Sequence, residues 1–213
     1  MEQRPSPSFT HDKLQNPDLL DLVDVFEDYW TKNIFAPCEM LLRDMHGWLA
    51  AMILLSSYFE AIQIYLSGED SRGKSKTFFV GGFCRVFNSD TLGINKVAVT
   101  IYEHVRCSLA HQGLLHRKVH YSNSGIKAFF ITYPKKSDGS LDIDAEPLSI
   151  VANPQRIYAA IKIHFEIYVT DLRSTEESKS NKVAFQKTVD RLWGVGEGEN
   201  VIGMTEAEFC GHM

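Results

Sequence analysis

Four cysteines in 213 residues, Cys38, Cys84, Cys107 and Cys210, stand in no C-x-x-C spacing. That scatter argues against a disulfide framework or a zinc ribbon and fits thiols kept reduced in the cytoplasm. Positive charge is also scarce: 22 Lys and Arg face 27 Asp and Glu, a formal net charge of −5. This argues against a broad basic surface for duplex nucleic acid and leaves room only for a local basic cleft. No basic-then-apolar stretch of the secretory kind opens the chain. The longest apolar run, around Trp48–Leu66, is broken by Ser56, Ser57, Glu60 and Gln63, which predicts a core helix and no membrane span. Internal repeats are missing as well. A cytoplasmic chain of one main domain is the expectation, with 44% hydrophobic residues to build its core.

What is present is mostly helical pattern. Residues 1–16 carry two prolines and no periodicity, and are expected to form a mobile leader. Asp18 is placed to cap a helix at Leu19–Trp30 with Leu19, Leu22, Val23, Phe26 and Trp30 inward. Cys38–Arg43 continues it after an interruption at Pro37. His46–Ser67, apolar on much of its circumference, reads as the central helix. Thr77–Phe87 is aromatic-rich, with helix favoured over strand, and Asn88–Gly93 is a turn. Lys118–Tyr121 and Ile126–Tyr133 flank Ser-Asn-Ser-Gly and read as a β-hairpin, with Leu148–Val151 a further short strand. Asn153-Pro154 starts a helix whose Ile157, Ile161, Phe165, Tyr168 and Leu172 recur at helical steps. Val183–Trp193 is one more helix, and 194–213 reads as a loosely ordered tail. Residues 17–193 thus predict a mainly α domain, a helical bundle with a small hairpin at about 118–133 inserted after its fifth helical stretch.

The chemistry concentrates at Ile101–Gly113, Ile-Tyr-Glu-His-Val-Arg-Cys-Ser-Leu-Ala-His-Gln-Gly. Val97, Ile101, Val105 and Leu109 form an apolar stripe, and Gly113 sits where a helix C-cap belongs. Beside the stripe stand Arg106 and His111. This Arg-x4-His pair, at the end of a helix in a mostly helical chain, resembles the HEPN superfamily, many of whose members are metal-independent endoribonucleases. The resemblance implies a HEPN-like bundle that dimerises so that two motifs face one cleft. By fold-level analogy it also implies a role in defence or as a toxin, with an antitoxin or regulatory partner. The residue after the motif arginine is often small and polar in that family; here it is Cys107.

The residue types suit RNA cleavage on their own terms. An imidazole can take or give a proton near neutral pH, so His111 is the proton-transfer candidate. A guanidinium stays charged and matches phosphate oxygens with a planar fork, so Arg106 is the phosphate-holding candidate. Five residues at roughly 100° each place the two about 140° apart on a regular helix, so the helix must loosen near Ala110 or the substrate must meet them across a twofold axis. Glu60 is a carboxylate in an apolar helix, and Arg106 is a candidate partner for it, solvent the alternative. A surface salt bridge with Glu103 is the bland alternative for Arg106. Lys74, Arg117 and Lys118 are further substrate-binding candidates. His111, His116 and His120 lack ordered acidic or cysteine co-ligands, so neither metal nor cofactor is expected.

Two other functions compete. Gly68-Glu-Asp-Ser-Arg-Gly73-Lys74-Ser75 matches the P-loop pattern, but helix-like sequence precedes it and Glu69 and Asp70 would sit inside an anion cradle. A non-catalytic HEPN-like interaction or regulatory module is the other.

Overall fold

The computed structural model describes residues 4–87, 93–174 and 179–193, together with Gly211. The turn expected at Asn88–Gly93, apart from Gly93, and the tail expected at 194–213, apart from Gly211, lie outside the described residues.

Helix α1, Leu19–Trp30, begins where the Asp18 carboxylate accepts from the Asp21 N–H at 2.8 Å and the Asp21 carboxylate accepts from the Asp18 N–H at 3.2 Å. That reciprocal cap satisfies two otherwise unpaired donors. A π-helical segment, Thr31–Phe35, carries the chain on into α2, Ala36–Leu41. The interruption expected at Pro37 is therefore a widened turn: the extra residue accommodates a ring and a missing N–H that would otherwise break the helix. Residues 4–16, expected as a mobile leader, pack on α1 instead. Leu14 is buried, and Lys13 Nζ reaches Asp24 at 3.0 Å and Asp21 at 3.1 Å.

The central helix α3 spans Trp48–Ser67 and stops at Gly68, whose φ of 69° supplies the left-handed C-cap. With its preceding turn, Met45–Ser67, it is long and apolar enough to cross a membrane by length and composition. Here it is the hub of the bundle, packed against α2, α4 (Ser75–Val86), α7 (Pro154–Arg173) and α8 (Lys179–Trp193). Asn153 caps α7 as its sequence suggests, its Oδ1 accepting from the Arg156 N–H at 3.2 Å. The stripe Ile157, Ile161, Phe165, Tyr168 and Leu172 is buried. Phe26 from α1 meets Tyr65, Phe165, Tyr168 and Phe185 with ring centroids 4.7–6.2 Å apart, tying four helices together.

The motif helix is composite. α5, Ile94–Ile101, passes through a π-helical segment, Tyr102–Cys107, into α6, Ser108–Gln112, and Gly113 closes it with φ 68°. Val97, Ile101, Val105 and Leu109 are buried as the stripe requires. Inside the widened stretch the Ser108 hydroxyl donates to the Glu103 carbonyl, five residues back, at 3.1 Å. It offers that carbonyl a partner where α-helical pairing lapses.

The hairpin is a correction. β1 (Val119–Tyr121) and β2 (Phe129–Thr132) do not pair with each other; β3 (Ser149–Ala152) lies between them, parallel to β1 and antiparallel to β2. Residues 122–128 are too long a link for a two-residue turn to force the register. The central place goes to β3, whose Ile150 and Ala152 are fully buried. Val119, Ile150 and Ile131 share the inner face; His120, Val151 and Phe130 form a row on the outer one.

Candidate active site

Arg106 leaves the π-helical segment toward α3. Its Nη2 donates to Glu60 Oε2 at 3.4 Å, and its guanidinium lies over the Tyr102 ring, 5.9 Å from the centroid. The same Glu60 oxygen accepts from the Ser75 hydroxyl at 2.7 Å. Ser75 is the first residue of α4, so three helices hold one carboxylate and, through it, one guanidinium. The bland alternative for Arg106 is overturned: Glu103 instead accepts from Lys76 Nζ at 2.7 Å. Glu60 and Arg106 are both partly exposed, with 16% and 33% of their side-chain surface open. The pair therefore orients Arg106 more than it stabilises the fold.

Glu60 and Arg106 line an open groove of about 420 Å³ with Ile53, Ser56, Ser57, Ala61 and Ile64. Its lining mixes two serines with apolar Ile53, Ala61 and Ile64. Glu60 spends Oε2 on Ser75 and Arg106, and no other protein partner for it stands among the described residues. A guanidinium fixed on one edge and facing an open groove can receive a phosphate oxygen without reorganising.

The remaining candidates disperse. His111 stands exposed in the last turn of α6 and is not among the groove's lining residues. The helix does loosen, but over Tyr102–Cys107 instead of near Ala110. Lys74 Nζ lies 3.6 Å from Glu69 in the loop between α3 and α4. Arg117 is exposed. Lys118 Nζ reaches Glu146 at 3.3 Å and lines a second groove of about 250 Å³ with Lys96, Glu103 and His104. The P-loop match fails on geometry: a helix, not a buried strand, precedes Gly68, and the Ser75 hydroxyl is committed to Glu60. Among the described residues no group of three potential metal ligands converges.

Sequence reading missed Ser75 as a site residue, because its partner lies 15 residues away on α3 and its local signal was absorbed by the Gly-Lys-Ser pattern. It also missed a stacked pair of imidazoles, His104 and His116, with centroids 3.9 Å apart and planes 13° apart. Burial depresses the His104 pKa, and His116 and Lys118 push the same way. His164, whose Nδ1 lies 2.9 Å from the Tyr58 hydroxyl, is depressed by burial and by Arg85. Both shifts favour the neutral ring in the fold. The unfolded chain, with imidazoles near the ordinary value of 6.5, binds those protons more readily, so stability is full above that pH and is lost as pH falls toward the folded values. The melting temperature is therefore expected to drop between about pH 7 and about pH 5, and less steeply in His104→Phe, which keeps the stack without the titration. An identical slope in that variant contradicts the assignment.

No known protein family matches the sequence, and no curated protein or solved structure matches it either.

Proposed function

We propose that the chain is a metal-independent endoribonuclease acting as a symmetric dimer, in keeping with its resemblance to the HEPN superfamily. The observation that carries this reading is Arg106, held by Glu60 at the wall of an open groove, on the composite helix that carries His111 in its last turn. In the proposed step a base takes the 2′-hydroxyl proton and O2′ attacks phosphorus. The bond to O5′ breaks as an acid protonates that oxygen, leaving a 2′,3′-cyclic phosphate and a 5′-hydroxyl. Arg106 stabilises the charge on the phosphoryl oxygens. His111 supplies proton transfer, and a second imidazole for the opposite role comes from the partner subunit. Exposed apolar side chains near the motif support such pairing: Leu114, just past Gly113, is 71% exposed, and Ile53, on the groove wall, 44%.

A second reading is favoured by His111 standing outside the groove: an interaction module that keeps the bundle and does no chemistry. A defence or toxin role with a silencing partner follows from the resemblance alone, and cytoplasmic placement from the scattered cysteines. The test is to incubate a defined single-stranded RNA with the purified chain and excess chelator. Fragments bearing 2′,3′-cyclic phosphate are expected. Intact RNA across varied sequences selects the interaction module, and cutting that returns only with added metal overturns the mechanism.

A further inference from the structure

The outer face of the small sheet carries chemistry that the Arg106 groove does not use. Phe130 is 69% exposed and Ile126 80%, both beside a pocket of about 220 Å³. Phe129 and Val151 add further apolar lining, and the polar or small part is Ser122, Ser124 and Gly125 in the connecting loop, Lys127 and Asn153. Among the described residues Lys127 is the one charged residue that lines the pocket and no carboxylate does, although the chain as a whole is acidic. His120 extends the row formed with Val151 and Phe130.

The pocket is built before any ligand arrives. The Asn153 N–H donates to the Ala128 carbonyl at 2.8 Å, and the Asn153 amide donates to the Gly125 carbonyl at 3.4 Å. Asn153, itself 4% exposed, thus ties the loop to the start of α7. The Ser124 N–H donates to the Ser122 hydroxyl at 3.1 Å. A preformed loop, an aromatic face in solvent and a single cation together match an unpaired base with its phosphate. A duplex would bury its bases away from such a site and present only backbone, for which one lysine is too little.

We infer that this pocket is a subsite for one nucleobase of single-stranded RNA. Phe130 stacks on the base, the Ser122 and Ser124 hydroxyls face its edge, and Lys127 and His120 meet the neighbouring phosphates. The inference rests on the reading of the chain as an RNA-cutting protein, and adds that its substrate is single-stranded and is gripped away from the scissile bond. Among the described residues β2 pairs with β3 alone, and its other edge offers a different occupant, an extended peptide. The absence of acidic side chains and the lysine at the pocket favour the polyanion.

The experiment is fluorescence anisotropy with a labelled 2′-O-methyl oligonucleotide, which a 2′-hydroxyl mechanism cannot cut, so binding is read apart from cleavage. Phe130→Ala is expected to raise Kd about tenfold and Phe130→Trp to restore it. Lys127→Ala is expected to lower the salt slope by about 0.7. The ring is exposed, so Phe130→Ala is expected to keep the wild-type melting temperature. Unchanged affinity in Phe130→Ala, or duplex bound as tightly as single strand, overturns the subsite. A change of oligomeric state in Phe130→Ala with RNA affinity intact assigns the face to protein contact and also overturns it. If Phe130→Ala weakens binding while Arg106→Ala and His111→Ala cut RNA normally, the subsite stands and the nuclease mechanism falls.

Discussion

His111→Ala is expected to slow RNA cutting by roughly a hundredfold to ten-thousandfold, the range for losing a positioned acid or base. Its melting temperature is expected to match wild type, because His111 is exposed at a helix end. Arg106→Ala is expected to cost about a hundredfold to a thousandfold, the scale of losing one preorganised donor to a developing oxyanion. That variant leaves the Glu60 carboxylate with Ser75 alone on the groove wall. Arg106→Lys separates charge from geometry: a lysine keeps the charge and loses the planar fork, so most of the deficit should remain. Single-turnover rates with excess chelator, alongside thermal melts, check all three. Wild-type rates in folded His111→Ala would remove the mechanism.

Gly82→Ala is expected to destabilise the fold strongly. A Cβ at position 82 would stand 1.8 Å from the Phe59 carbonyl oxygen, 2.7 Å from its carbon and 3.1 Å from Ile62 Cγ2. The first two are backbone atoms of α3, so relief requires the helices to separate. Separation would loosen Phe59 from Phe79 and Phe83, whose rings now lie 5.2 Å and 5.0 Å away. Overpacking of this kind costs about 3 kcal/mol at the upper end of its usual range. For a chain of this size that is a drop of roughly 6–12 °C in melting temperature. Gly73→Ala is the control: no atom lies within 4 Å of its added Cβ, though its φ of 73° carries a strain of its own. A Gly82→Ala melt no lower than that of Gly73→Ala contradicts the close approach.

The helices were legible wherever one face repeats: the stripe from Val97 to Leu109 and that from Ile157 to Leu172 are buried as their spacing requires. Caps were legible too at Asp18, Gly113 and Asn153, which act through bonds a few residues long. Strand pairing was not. β3 displaces the hairpin because the preference for an apolar central strand acts across a separation that no local pattern records. The π-helical stretches were equally silent, since a widened turn answers tertiary demands. At the site, the link between Glu60 and Arg106 was foreseeable, because a carboxylate in an apolar helix must find a partner. Ser75 was not, because the local Gly-Lys-Ser pattern gives no hint that its hydroxyl faces a carboxylate on α3. His111 is not among the residues that line the groove, so the proposed mechanism depends on the pairing of two subunits.

Co-expression of wild-type and His111→Ala chains, with activity measured against the fraction of wild type, tests that pairing most directly. If each cleft needs an imidazole from both subunits, activity follows the square of that fraction, leaving about one quarter at an equal mixture. A linear decline, with about one half remaining at the same mixture, would mean that each protomer acts alone and would contradict the shared cleft.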